Sequence, residues 1–121
     1  MYKIGDKVAT RDAYGKALVE FAEQYDFVVL DADLAEATKT VTFKKAYPDR
    51  FFDCGIAEGN MMCVAAGLAA AGSRPFCNIY SSFMQRAYDN VIHDVALQNL
   101  PVVLCLDRAG LVGEDGATHH G

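Results

Sequence analysis

The chain has 121 residues, of which 52% are hydrophobic, and its formal net charge at pH 7 is −5. This length and apolar content suit one compact domain with its own core, so we expect a single α/β domain over residues 1–121. With 11 Lys and Arg against 16 Asp and Glu, the chain lacks the basic stripe that neutralises nucleic-acid phosphates. This balance argues against a nucleic-acid partner.

The N-terminal segment MYKIGDKVATRDAYGK contains neither the apolar run of a secretory signal nor an Arg-rich presequence. The longest apolar stretch, CVAAGLAAAG, is too short to span a bilayer. We therefore predict a cytoplasmic protein without a membrane partner.

The four cysteines are Cys54, Cys63, Cys77 and Cys105. They lie far apart in the sequence, form no C-x-x-C pair and have apolar neighbours. This pattern predicts reduced thiols in the core rather than disulfides or metal ligands.

The first half of the chain predicts two helices and a strand between them. Apolar residues recur at helical spacing over residues 10–25, with Thr10 as the N-cap. The apolar run at residues 27–30, bounded by Asp, is typical of a strand buried on both faces of a parallel sheet. A second helix is predicted over residues 40–46, because the residue before Pro48 is disfavoured in the α conformation.

The second half alternates in the same way. We expect strands at residues 51–53, 75–80 and 101–106, and helices at residues 58–71 and 82–98. Strands alternating with helices imply right-handed crossovers, so the sequence predicts a three-layer, open, mostly parallel sheet with helices on both faces. The last segment, ATHHG, follows a Gly-rich turn without a closing helix or strand, which predicts an incomplete domain.

Ligands of open parallel sheets bind beyond the carboxyl ends of the strands. In the loop DCGIAEGN, Glu58 follows a turn and begins a helix, where it either forms a partly desolvated functional carboxylate or simply favours the helix dipole. In YSSFMQR, the aromatic faces of Tyr80 and Phe83, with Arg86 beside them, either stack on a planar ligand or pack in the core.

The loop DRAGLVGEDGATHHG concentrates charged and imidazole side chains. Its Gly spacing resembles a dinucleotide fingerprint, but no helix has room to follow, which argues against a Rossmann cofactor. A metal site from Asp115, His119 and His120 is disfavoured, because adjacent residues of an extended segment point to opposite sides. We predict no metal ligand in this chain.

Two long stretches resemble the thiamine-diphosphate ketol transferases. Residues 8–71, with VVLDADLAEATKT and YPDRFFDCGIAEGNMM, are similar to the C-terminal section of a split transketolase. Residues 80–121, with YSSFMQRAYDNVIHDVALQNLPVV and DRAGLVGEDGATHHG, closely resemble 1-deoxy-D-xylulose-5-phosphate synthases. The resemblance covers essentially the whole chain and implies the thiamine-diphosphate-binding fold, with this chain as its pyrimidine-binding domain.

The resemblance implies roles for individual residues. Glu58 matches the glutamate that hydrogen-bonds N1′ of the aminopyrimidine and favours its imino form, so it would be both catalytic and cofactor-binding. Phe83 matches the aromatic residue that stacks on the pyrimidine, while Tyr80 and Arg86 match cofactor-site and substrate-site residues. The chain departs from the family pattern after the glutamate, where it has Gly59 and Asn60.

The last loop would face the substrates. By resemblance, Arg108 anchors a phosphate or carboxylate, Asp115 and Tyr80 contact the substrate, and His119 transfers protons to substrate oxygens. The implied reaction is that of the synthase: pyruvate and glyceraldehyde 3-phosphate give 1-deoxyxylulose 5-phosphate and carbon dioxide, for isoprenoid and thiamine biosynthesis. The alternatives are a split-transketolase subunit that moves two-carbon units between sugar phosphates, and a non-catalytic assembly module.

The resemblance also implies partners. The sequence contains no GDG followed about thirty residues later by Asn, the family motif that holds Mg²⁺ and the diphosphate. A diphosphate-binding domain or subunit would therefore supply that half of the site, within a homodimer or larger assembly. We expect no turnover from this chain alone.

Overall fold

The computed structural model describes residues 2–111 and 113–121. One sheet of four strands has the order β2-β1-β3-β4, and every pairing is parallel. The strands are β1 Val28–Asp31, β2 Phe51–Asp53, β3 Pro75–Tyr80 and β4 Val103–Asp107. All four carboxyl ends therefore lie at the same edge of the sheet, as the sequence predicts.

Helices cover both faces of this sheet, which confirms the predicted layers. On one face lie α1 (Thr10–Ala22), α2 (Ala35–Thr38) and α3 (Val41–Ala46). The other face carries α4 (Glu58–Ala70) and a helical segment from 81 to 96. No helix in the described ranges is both long enough and apolar enough to cross a membrane.

Two apolar cores form because neighbouring side chains of a strand point to opposite faces. On β1, Val29 packs with Leu18 of α1 and Phe43 of α3. Leu30, the next residue, packs on the other face with Met61 and Met62 of α4. These side chains are at most 4% exposed. The central strand is therefore buried on both sides, as its continuous apolar run predicts.

The helix boundaries differ from the prediction at several points. Ala9, not Thr10, is the N-cap of α1, and no side chain caps it; the helix also ends at Ala22 rather than residue 25. The short helix α2 was not predicted. The second predicted helix, α3, begins at Val41 rather than residue 40. Thr40 occupies its N-cap position, and the Thr40 hydroxyl donates to Asp31 Oδ2 at 2.9 Å rather than capping the helix.

The predicted continuous helix over residues 82–98 is broken. It consists of α5 (Ser81–Met84), a 3₁₀ turn (Gln85–Ala87), α6 (Tyr88–Asn90) and a π-helical segment (Val91–Ala96). The break lies at Ala87, whose φ of −123° and ψ of 14° depart from helical values. This change of winding directs the residues of the 3₁₀ turn toward the start of α4, to which the turn is packed.

The cysteines do not all lie in the core. Cys77 is buried, Cys54 and Cys105 are half-buried and Cys63 is exposed, so the prediction of four core thiols is wrong for Cys63. Its Sγ lies 3.2 Å from Asp94 Oδ2 on the surface. That contact raises the pKa of the Cys63 thiol, and burial adds to the effect. The raised pKa disfavours the thiolate form of Cys63.

Candidate functional site

The predicted site residues lie at the carboxyl edge of the sheet. Glu58 begins α4 a few residues after β2, Tyr80 ends β3, and Arg108 directly follows β4. Because the strands are parallel, the loops that carry these residues come together at one edge.

Glu58 carries a buried carboxylate at the start of α4, with only 6% of the side chain exposed. Its Oε1 accepts a hydrogen bond of 2.7 Å from Arg86 Nη1. The position in the first turn of a 13-residue helix also favours a negative charge. The two interactions offset the free-energy cost of removing a charged carboxylate from water.

An aromatic surface adjoins this carboxylate. Tyr80 and Phe83 are stacked, with ring centroids 5.2 Å apart and an interplanar angle of 17°. His119 meets both rings edge-on, at centroid distances of 5.6 Å and 5.4 Å. The guanidinium of Arg86 lies 5.3 Å from the centroid of Phe83. Phe83 is half-buried, so its ring offers a partly open apolar face.

Arg108 is held by two carboxylates and one ring. Its Nε donates to Asp115 Oδ2 at 2.6 Å, and its Nη1 donates to Asp107 Oδ2 at 3.0 Å. The guanidinium lies 4.0 Å from the centroid of Tyr80. Only 15% of this side chain is exposed. The cation is therefore fixed in place.

Tyr80 keeps its proton at neutral pH. Burial raises the pKa of its phenol, the Arg108 guanidinium opposes this change, and the carboxylates of Asp107 and Asp115 reinforce it. The phenol can therefore donate a hydrogen bond.

The last loop is closed by backbone hydrogen bonds. Gly110 and Gly121 exchange two of them, with N···O distances of 3.0 Å and 3.2 Å. Ser81 Oγ also donates to the carbonyl of Arg108, at 2.8 Å. These bonds hold His119 against the aromatic surface. Sequence reasoning missed Ser81 and Asp107, although both directly adjoin a predicted site residue.

All seven predicted site residues belong to one connected set of contacts. Glu58 contacts Arg86, Arg86 contacts Phe83, and the aromatic rings link onward to the last loop. The set consists of Glu58, Tyr80, Phe83, Arg86, Arg108, Asp115 and His119. Within the described part of the chain, no group of three or more His, Cys, Asp or Glu side chains could hold a metal ion.

The departure from the family pattern at Gly59 has a local explanation. A Cβ at this position would lie 2.9 Å from Asn90 Oδ1 and 3.7 Å from the carbonyl oxygen of Arg86. The absent side chain therefore lets the segment that carries Arg86 approach the start of α4. Asn60 is exposed and lies outside this contact.

A second polar cluster lies beneath α1. Asp31 accepts hydrogen bonds from the Thr38 and Thr40 hydroxyls, each at 2.9 Å. Nearby, Tyr14 Oη donates to Asn78 Oδ1 at 2.6 Å, beside a cavity of about 170 Å³. None of these residues was predicted to be functional, and their hydrogen bonds join α1, α2 and the sheet.

The model of the transketolase pyrimidine-binding domain family matches residues 6–121. The chain belongs to this family. A 1-deoxy-D-xylulose-5-phosphate synthase of Parabacteroides distasonis is 57% identical over 120 residues, 98% of this chain and 19% of the relative. A synthase of the same name from Aquifex aeolicus is 60% identical over 109 residues, 89% of this chain and 17% of the relative.

A solved structure described as a split-gene transketolase, an inactive β4 tetramer, superimposes with a TM-score of 0.78. It is 45% identical, and the match covers 95% of this chain and 37% of that one. These findings confirm the family resemblance and the fold. The chain spans less than a fifth of the length of the two curated relatives named above.

Proposed function

We propose that this chain forms the pyrimidine-binding part of a 1-deoxy-D-xylulose-5-phosphate synthase, which joins pyruvate to glyceraldehyde 3-phosphate and releases carbon dioxide. The observation that carries the proposal is the single connected set of seven site residues at the carboxyl edge of the sheet. The high identity to relatives with that name supports the choice of reaction.

The residues present fit an aminopyrimidine. The buried carboxyl group of Glu58 and the half-buried ring of Phe83 offer a hydrogen-bonding group and a stacking face. In the proposed complex Glu58 would hydrogen-bond N1′ of the aminopyrimidine and favour its imino form, and Phe83 would stack on the ring. Thiamine diphosphate, when bound, supplies the carbanion chemistry that protein side chains lack.

The remaining residues act on the substrates. His119, fixed against Tyr80 and Phe83, transfers protons to substrate oxygens. The protonated Tyr80 phenol donates a hydrogen bond, Arg108 binds the substrate anion and Asp115 orients Arg108. Tyr80 and Arg86 extend the pocket on the cofactor side.

A split transketolase is the second candidate. It is favoured by the 45% identity to a solved structure of that description. Such a subunit would use the same glutamate and aromatic face, and would transfer two-carbon units between sugar phosphates. The two candidates differ in the donor, pyruvate or a ketose phosphate, and in the release of carbon dioxide.

We further propose that a diphosphate-binding domain or subunit, with its Mg²⁺, covers this edge within a homodimer or larger cytoplasmic assembly. Two apolar side chains flank the site and are open to solvent: Ile56 is 75% exposed and Leu111 is 92% exposed. Exposed apolar residues at the margin of a site are typical of an interface with another domain. On this proposal the chain alone does not turn over.

The decisive experiment combines the chain with its diphosphate-binding partner, thiamine diphosphate and Mg²⁺, and measures carbon dioxide release from pyruvate plus glyceraldehyde 3-phosphate. Release that requires both substrates supports the synthase. Transfer from xylulose 5-phosphate to ribose 5-phosphate without such release would identify a transketolase. Absence of both carbon dioxide release and ketol transfer would favour the non-catalytic assembly module.

The variant Glu58→Gln tests the proposed role of the carboxylate in the same complex. We expect a loss of about 10²- to 10⁴-fold in kcat, the usual size of a lost proton-transfer contribution. Glu36→Gln, an exposed glutamate in the first turn of α2, serves as the matched control. Full activity of Glu58→Gln would mean that Glu58 is structural.

A further inference from the structure

We propose that Ser81 is a positioning residue, which fixes the backbone of Arg108 and thereby holds its guanidinium where the substrate anion binds. The inference rests on the proposed function, in which Arg108 binds that anion, and it adds a residue to which the proposed function gives no role. Ser81 Oγ donates a hydrogen bond of 2.8 Å to the carbonyl oxygen of Arg108, although the two residues are 27 positions apart.

Arg108 has a backbone conformation that an arginine side chain disfavours. Its φ is 55°, in the left-handed region, which Gly, Asn and Asp tolerate better than Arg. A residue keeps such a conformation only when the contacts around it fix the backbone. Here two side chains hold both polar groups of its backbone: the N–H donates to Asp107 Oδ1 at 2.9 Å, and the carbonyl accepts from Ser81. The peptide groups on both sides of the Arg108 Cα are therefore fixed.

The register of the sheet brings Ser81 to Arg108. Strands β3 and β4 are parallel and pair Tyr80 with Asp107 at their carboxyl ends, so the next residue of each strand leaves the sheet beside the other. Two consecutive residues of β3 and α5 then contact Arg108 in different ways. The Tyr80 ring lies 4.0 Å from the guanidinium, and the Ser81 hydroxyl bonds to the backbone. Both the backbone and the charged end of this arginine are therefore held from the end of β3.

The direction of the guanidinium depends on this backbone. Its Nε donates to Asp115 Oδ2 at 2.6 Å and its Nη1 to Asp107 Oδ2 at 3.0 Å. Without the Ser81 hydroxyl, one bond fewer stabilises the left-handed conformation. Rotation of φ toward negative values would then carry the Arg108 side chain away from both carboxylates. Loss of Ser81 Oγ is therefore expected to weaken binding of the substrate anion, while it removes no group that transfers protons.

The test compares Ser81→Ala with Arg108→Gln in the chain combined with its diphosphate-binding partner, thiamine diphosphate and Mg²⁺. Carbon dioxide release at varied concentrations of each substrate gives kcat and both KM values. Arg108→Gln is expected to raise the KM of the substrate whose anion it binds by about 10- to 100-fold, the usual effect of a lost hydrogen bond to a charged group. Ser81→Ala is expected to raise the same KM by about three- to tenfold with kcat unchanged. Ser73→Ala, before β3 at the opposite edge of the sheet, serves as the control.

A double-mutant cycle shows whether Ser81 acts through Arg108. In the Arg108→Gln background no guanidinium remains to be positioned, so the further change Ser81→Ala is expected to leave KM unchanged. A rise of about threefold or more that persists in this background overturns the inference, as does a Ser81→Ala complex with the KM values of the wild type. If Arg108→Gln itself changes neither KM, the proposed role of Arg108 is contradicted, and the two failures are therefore distinguishable.

Discussion

Asp31 shows how a single side chain can be both buried and ionisable without belonging to the proposed site. It is fully buried at the end of β1 and accepts hydrogen bonds from the Leu34 amide and from the Thr38 and Thr40 hydroxyls. Burial raises the pKa of its carboxyl group even though these donors act in the opposite direction. The ionised form is therefore less favourable in the folded chain than in the unfolded one.

This shift predicts how Asp31→Asn changes stability with pH. Because the folded chain holds the Asp31 proton more tightly, its free energy of unfolding falls as pH rises from 3.8 through the raised pKa. Asp31→Asn lacks this loss, so its stability relative to the wild type increases with pH, by about 1 kcal/mol for each pKa unit of the shift. Urea denaturation between pH 3 and pH 8 measures the difference.

The exposed neighbour Asp33 provides the control. Asp33 has a φ of 62°, which Asn tolerates, so Asp33→Asn preserves the backbone. A variant at Asp31 whose pH profile runs parallel to that of the wild type would contradict the expected shift.

At the scale of single elements, the helices and strands that could be predicted are those whose apolar spacing and flanking turn residues lie within the element or next to it. Strands β2 and β3 have the predicted bounds, and α4 begins at Glu58 as predicted, after the Gly55 turn. The break at Ala87 was missed because the apolar spacing continues across it. Asn90, three residues after the break, lies close to Gly59, and a local pattern cannot show such a contact between distant residues.

Gly15 lies where α1 closely approaches Lys39, the residue that follows α2. A Cβ at Gly15 of α1 would lie 2.5 Å from the carbonyl oxygen of Lys39, a backbone atom that cannot rotate away. Gly15→Ala is therefore expected to destabilise the fold by about 1–3 kcal/mol, despite the higher helix propensity of Ala. Thermal and urea unfolding measure this loss.

Gly67 of α4 is the matched comparison, because it is exposed and its Cβ would meet no atom within 4 Å. Gly67→Ala should stabilise the chain by up to about 1 kcal/mol. If the two substitutions change the free energy of unfolding equally, the contact of the added Cβ with Lys39 is not destabilising.

At the scale of the whole molecule, general patterns predicted the edge of the sheet at which the site lies but not the identity of its residues. Glu58 and Phe83 each had an ordinary structural explanation, and only the family resemblance selected them. The pairing of Glu58 with Arg86 was not predicted, since it joins residues 28 positions apart. Side-chain partners of this kind are fixed by packing and charge rather than by local sequence.

The exposed apolar margin of the site predicts the effect of a surface substitution. Ile56→Ser should weaken association with the diphosphate-binding partner about tenfold, because a 75% exposed isoleucine contributes little to the isolated chain and more when an interface buries it. Analytical ultracentrifugation measures the association. Ile4→Ser, at a fully exposed position, serves as the control; equal affinities for the two variants would exclude Ile56 from the interface.

The all-parallel sheet has a consequence for how the chain folds. β1 pairs with β2 and with β3, which begin 23 and 47 residues later than β1 at Val28. No tight hairpin can therefore start the sheet, and each pairing must first close a long loop. Such non-local pairing slows folding and leaves strand edges exposed for longer during synthesis. The arrangement that gathers the site residues at one edge thus makes the nascent chain dependent on late, long-range contacts.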